Sequence, residues 1–175
     1  MPLNRPSEFR SLDDLLYNTY HEIIECGECV YSKRGSNFEI TQFAATLLNP
    51  RIRTSMSLDR KLVKSKFAEF AWYLSKDPDK NFIIPYIQLY DQEEQQDNKI
   101  LGAYGPKIFN STEDSKSQYD RVIEQIVNRR ATKQAYIAIS DAIDYRFRDQ
   151  KASSPPCTIG LHFFVRNEKL NLVVY

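Results

Sequence analysis

The chain predicts an α+β fold, a mixed β-sheet with helices packed against it. Three observations carry this expectation. Runs with helical period and runs of β-forming residues follow one another without the strict alternation of a doubly wound sheet. The last stretch reads as two apolar strands, "TIGLHFFVR" and "KLNLVVY", joined at Asn167 and Glu168 as a tight hairpin. With 42% apolar residues among 175, one domain can bury a real core without disulfides or metal.

In "SLDDLLYNTYHEIIECG", Leu12, Leu15, Leu16, Tyr20, Ile23 and Ile24 recur at helical spacing. Ser11 supplies a cap, Asp13 and Asp14 favour the positive end of the helix, and Gly27 is a natural stop. "NFEITQFAATLLNP" is rich in β-formers and ends at Asn49 and Pro50, which predicts a strand running into a turn. "KSKFAEFAWYLSK" returns to helical period through Val63, Phe67, Phe70, Ala71 and Leu74, with "DPDK" ending it. Asp91 to Lys116 is polar and broken by "GAYGP", so a long loop region with short elements is expected, a setting in which function often resides. "SQYDRVIEQIVNRR" predicts another helix through Tyr119, Val122, Ile123, Ile126 and Val127, and "QAYIAIS" a strand. No internal repeat is visible.

The formal net charge of +1, from 24 basic and 23 acidic residues, argues against a general nucleic-acid binder. A small anionic ligand needs only a few local arginines or lysines. The amino terminus, "MPLNRPSEFRSLDD", has no apolar core of signal-peptide length, and no stretch approaches the roughly 18 apolar residues of a membrane span. The expectation is a cytoplasmic protein without a membrane partner. Three cysteines, Cys26, Cys29 and Cys157, make an odd set that disfavours a disulfide framework.

Cys157 stands in "PPCTIGLHFFV", between a proline pair and an apolar run. A free cysteine is often a small buried hydrophobe, yet a partly exposed thiol at a strand mouth near cationic groups can act as a nucleophile. Glu69, in "FAEFAWYL", interrupts an apolar helix face: it either sits at the helix edge or is buried, where desolvation suits a carboxylate to proton handling. Tyr104 lies between two glycines in "GAYGP", a turn or a place of close backbone approach. Arg34 precedes Gly35 and Ser36 before a strand, either a solvated loop arginine or a phosphate-binding fork. Arg129, Arg130 and Lys133 gather in "RRATKQ", as a cationic lip or as charges favoured at a helix carboxyl end. "CGEC", Cys26 to Cys29, has redox spacing but closes a helix instead of opening one, and a zinc site would need two more ligands, with only His21, His162 and Cys157 to offer. No metal site is expected.

Taken in order, "RGS", "FAEFAWYLSKD", "GAYGPKIF", "YDRVIEQIVNRRATKQAYIAIS" and "PPCTIGLHFFVRNEKLNLVVY" resemble the thymidylate synthase and deoxycytidylate hydroxymethylase family, from about Arg34 to the last residue. The resemblance implies a single domain of that type over 1–175, incomplete at its carboxyl end, with 1–33 a helical extension that matches nothing in the family. It implies transfer of a methyl or hydroxymethyl unit from 5,10-methylenetetrahydrofolate to carbon 5 of a pyrimidine deoxynucleotide, in a homodimer built through the sheet. Cys157 matches the nucleophile that adds to carbon 6. Glu69 matches the glutamate that organises water and proton transfer, and Tyr104 the tyrosine near the water that helps remove the carbon 5 proton. Arg34 matches a phosphate-binding arginine. Lys133 and Gln134 fall where the family supplies an arginine pair from the other subunit; lysine is a point charge and glutamine carries none, so Arg129 or Arg130 is needed to compensate.

The family continues beyond this hairpin into an Arg-Ser-x-Asp motif and the asparagine that reads the base, whereas this sequence stops at Tyr175. The expectation is a chain that does not turn over by itself. A non-catalytic binding or assembly module that keeps the fold is the alternative, because fold does not fix function.

Overall fold

The computed structural model describes residues 7–32, 35–52, 54–56, 63–92, 96–111, 114–145 and 155–175. The chain divides into two compact units, Met1–Val63 and Lys64–Tyr175.

In the first unit, β1 (Ser7–Phe9) pairs in parallel with β4 (Ala45–Leu47), and β2 (Glu28–Ser32) pairs antiparallel with β3 (Gly35–Glu39). Between β1 and β2 runs α1 (Leu12–Cys26), opened by the predicted cap: the Ser11 hydroxyl accepts from the Asp14 amide at 3.1 Å. Asp13 leaves the helix start to accept from the Met56 amide at 2.9 Å and from the Ser55 hydroxyl. The single strand expected over "NFEITQFAATLLNP" is two, β3 and β4, separated by residues 40–44. Gln42 has φ 59° there, a left-handed conformation that breaks the extended run whatever its β-propensity.

In the second unit, α2 (Val63–Ser75) buries Ala68 and Trp72. The apolar positions that mark its period in the sequence lie elsewhere: Phe67, Phe70 and Leu74 are exposed. The indole of Trp72 sets the orientation, packing with Ala68 against Ile83, Ile100 and Ala103. Ile83 belongs to α3 (Lys80–Ile83), capped by Asp79, whose carboxylate accepts from the Asn81 amide at 2.9 Å. The polar region that follows contains short 3-10 turns at Gln88–Gln92 and Gln96–Asn98, and then α4 (Tyr104–Phe109). "GAYGP" therefore runs from a turn at Leu101–Gly102 into the start of this helix.

Next comes α5 (Gln118–Asn128), with a reciprocal capping box in which Ser117 and Asp120 bond each other's backbone. Hydrogen bonds from the Ser117 hydroxyl and amide hold the Asp120 carboxyl below its usual range. The Gln118 side chain bonds three backbone groups: its amide donates to the Lys107 and Ala138 carbonyls and its oxygen accepts from the Ala138 amide. A three-stranded antiparallel sheet completes the unit in the order β5 (Tyr136–Ala138), β6 (Gly160–Arg166), β7 (Lys169–Val174). Asn167 and Glu168 both have positive φ, 50° and 59°, the mirror-image turn whose twist suits a two-residue hairpin.

The sheet packs through Ile137, Leu161 and Phe163 against Ile108, Val122 and Ile126 in a second, mainly aliphatic cluster. Lys107 Nζ reaches the nearly buried Asp144 carboxylate at 2.7 and 2.9 Å, tying α4 to the segment after β5. Among the described residues, no helix is long and apolar enough to cross a membrane.

Candidate active site

Cys157 does not begin a strand; β6 starts three residues later, at Gly160. What fixes the cysteine is the backbone on either side. Pro156 is buried before it. After it, the Ile159 amide donates to the Tyr175 carbonyl at 2.7 Å, and the Ile159 carbonyl accepts from the Ile139 and Ser140 amides at 2.9 and 3.0 Å. Between these anchors the Thr158 amide donates to the Tyr104 hydroxyl at 3.1 Å. The thiol itself is exposed. Of the two readings open to it, the buried hydrophobe is therefore excluded.

Tyr104 is held from behind. Its ring stacks on that of Tyr73, with centroids 5.2 Å apart and planes 19° from parallel. The backbones approach as well: a Cβ at Gly105 would overlap the Tyr73 carbonyl oxygen, so only glycine admits α4 this close to α2. Tyr73 also lies four residues after Glu69, one turn along α2, and its phenol feels that carboxylate. Burial first, then the charge of Glu69 and the neighbouring Tyr90, push the Tyr73 phenol well above its usual range.

Glu69 is not at a solvated helix edge. Its side chain is 18% exposed, accepts from the Tyr90 hydroxyl at 3.1 Å and meets Lys66 Nζ at 3.3 Å. The Tyr90 ring in turn sits edge-on to Trp72 at 5.3 Å. The indole N–H of Trp72 is buried with no acceptor among the described residues. Three residues from separate stretches of sequence, Glu69, Tyr104 and Cys157, thus belong to one connected set. The set joins a half-buried carboxylate bonded to a phenol and, through the Tyr73–Tyr104 stack, an exposed thiol on a pinned turn, groups able to exchange protons and to bond covalently.

Among the described residues, no cationic candidate bonds to Glu69, Tyr104 or Cys157. Arg34 lies outside the described residues. Arg130 pairs with Glu168 at 3.0 Å, both largely exposed, the kind of pair that contributes about 0–1 kcal/mol and is readily exchanged. Lys133 is exposed after the Thr132 turn, where the Thr132 hydroxyl accepts from the Gln134 amide at 3.0 Å. Arg129 and Gln134 share a groove of about 520 Å³ with Arg121, Gln125, Asn128 and Tyr136, which contains none of Cys157, Glu69 or Tyr104. Cys26 closes α1 and Cys29 lies in β2, both exposed. Among the described residues, no three His, Cys, Asp or Glu side chains are grouped to hold a metal.

Tyr73 and Tyr90 are site residues that composition and period did not single out. The one available signal for Tyr73 was its spacing, four residues after Glu69 on the same helix.

Helices packed on small sheets, with the cysteine-bearing turn at the entrance to the central strand of one of them, form a thymidylate-synthase-like fold. The chain is similar to the solved structure of thermostable thymidylate synthase A from Bacillus subtilis, with a TM-score of 0.61 and 17% identity over 96% of this chain. It spans 64% of the length of that protein. No family model and no curated protein sequence matches the chain. At this identity the likeness establishes the fold, and the chemistry has to be argued from the residues.

Proposed function

We propose that the chain is the catalytic portion of a thymidylate-synthase-type transferase that adds a one-carbon unit to carbon 5 of a pyrimidine deoxynucleotide. One observation carries this reading: the Tyr104 hydroxyl is bound to the amide beside Cys157 while its ring stacks on Tyr73, which shares α2 with Glu69 one turn away. The residues that match the family's nucleophile and two proton-handling groups are thereby connected.

In this mechanism the Cys157 sulfur adds to carbon 6 of the pyrimidine, which makes carbon 5 electron-rich. The fixed Thr158 and Ile159 backbone keeps that sulfur from swinging away, because the turn is tied to Tyr104 on one side and Tyr175 on the other. Glu69, largely buried and bonded to the Tyr90 hydroxyl, is the carboxylate that relays protons at the base. The Tyr104 hydroxyl accepts one hydrogen bond from Thr158 and keeps its own proton to donate to a water that takes the carbon 5 proton. Arg34, Lys133 and Arg130 are the phosphate-binding candidates, Arg130 after leaving its exposed pair with Glu168. Methylenetetrahydrofolate would supply the one-carbon unit. Glu69 and Tyr90 suit the polar edge of its ring system, one as acceptor and the other as hydroxyl. A homodimer is part of the reading.

The test is alkylation of the native chain with and without deoxyuridylate or deoxycytidylate. Selective protection of Cys157 by a nucleotide, with Cys26 and Cys29 unaffected, is expected, with no tritium release from the carbon 5 position by these 175 residues alone. Three cysteines that react alike and ignore both nucleotides would sink the proposal. Such a result would favour the assembly module, for which the exposed apolar row Phe67, Phe70 and Leu74 on α2 is the supporting observation.

A further inference from the structure

We infer that Tyr73 is the positioning residue of this site, registering Glu69 and the Cys157 turn to each other; the inference rests on the proposed reading of those two residues. Tyr73 has no place among the residues matched to the family, yet it links both halves of the set. It shares α2 with Glu69, one turn away, where its phenol feels the carboxylate, and its ring face carries Tyr104. Tyr104 then holds the Thr158 amide.

The geometry makes the link stiff. Gly105 lies against the Tyr73 backbone, so α4 cannot slide along α2 without a clash, and the ring stack and the backbone contact fix the same pair of residues twice. Tyr73 packs on the Trp72 cluster while Tyr104 packs on the Ile137 cluster, so the stack is also where the two cores meet. A displacement of either core is felt at the hydrogen bond beside the thiol. A phenylalanine at this position would keep the ring contact and lose the carboxylate; a leucine would lose both.

Amide hydrogen exchange at Thr158 in the full chain tests the ring arm without reference to activity. Tyr73→Leu is expected to speed Thr158 exchange about tenfold while global unfolding sets the slowest core amides as before, and Tyr73→Phe to restore protection to near the native level. Tyr104→Phe, which leaves both rings in place and removes only the acceptor, is expected to match Tyr73→Leu and serves if the leucine variant does not fold. The hydroxyl arm is read from a double-mutant cycle in which Tyr73→Phe adds no further loss of stability once Glu69→Gln is present. Native protection at Thr158 in Tyr73→Leu or Tyr104→Phe overturns the assignment, as does strict additivity in the cycle. Both measurements are independent of whether a nucleotide protects Cys157, so a failure of the enzyme reading is seen separately.

Discussion

The two clusters of the second unit differ in kind. Around Ile137 the core is aliphatic: Ile108, Val122, Ala135, Ile137 and Ile139 are buried between helix and sheet, and the β5–β6 ladder supplies the polar contacts. Around Trp72 it is aromatic and polar at its rim, with Tyr90 bonded to Glu69, Tyr73 packed beside them and an indole N–H left without a partner among the described residues. The second cluster combines burial with exchangeable protons and lies beside Glu69, whereas Tyr104 packs on the first and reaches the second through its stack on Tyr73. Cys157 is attached to the first cluster, through the backbone of residues 139–140 and Tyr175, and is linked to the second through Tyr104. With the thiol attached to one cluster and the Glu69 carboxylate to the other, each can be changed separately.

The largest effects should come from truncation at the two centres. Trp72→Ala and Ile137→Ala each remove a fully buried side chain and should cost about 3–5 and 2–5 kcal/mol in urea unfolding. The contrast lies in the conservative variants. Trp72→Phe should cost clearly less than Trp72→Ala, since it also removes the unpartnered indole N–H, whose burial costs about 1–3 kcal/mol. Equal losses for both Trp72 variants would mean that the aromatic cluster gains nothing from shedding that donor.

Next in size is Gly105→Ala. The added methyl meets the Tyr73 backbone, which cannot rotate away, so a loss of about 1–3 kcal/mol is expected, with faster amide exchange in α4 and an unchanged β6–β7 hairpin. Loss of protection throughout the hairpin would show that the two clusters do not unfold independently at all.

The smallest effect is a pH dependence. Because burial raises the Tyr73 phenol in the folded chain, the unfolded chain releases that proton first as pH climbs past about 10. Stability contributed by the neutral phenol is complete below that pH and declines above it. The difference between the native chain and Tyr73→Phe should therefore shrink or reverse between about pH 9 and 11, measured as urea midpoints at each pH. A difference that stays constant across that range would place Tyr73 in water.

Much of the scaffold was legible because the relevant signals are local. Ser11 and Gly27 bracket α1, the apolar period from Tyr119 to Val127 marks α5, and the Asn167–Glu168 turn between two apolar runs gives the hairpin. The break in the β3–β4 stretch was not, since a left-handed Gln42 leaves no compositional mark. Nor was the buried side of α2: with Phe67, Phe70, Trp72 and Leu74 all apolar, period alone cannot say which of them faces inward, and the partners that decide, Ile83 and Ile100, come later in the chain. Cys157, Glu69 and Tyr104 could be picked from their settings and from family order. The tyrosine that joins them could not, because a tyrosine in an amphipathic helix is read as packing until its hydroxyl has a partner.

Gln118 has a consequence beyond its own helix. β5 is an outer strand of the three-stranded sheet, and at Ala138 the glutamine side chain supplies one donor and one acceptor, as another strand would. The amide occupies the contact that a foreign chain would need for edge-to-edge addition. A single side chain thus serves as a gatekeeper against self-association along that border, and its removal would be felt first as a tendency to aggregate during folding, before any loss is seen in the folded molecule.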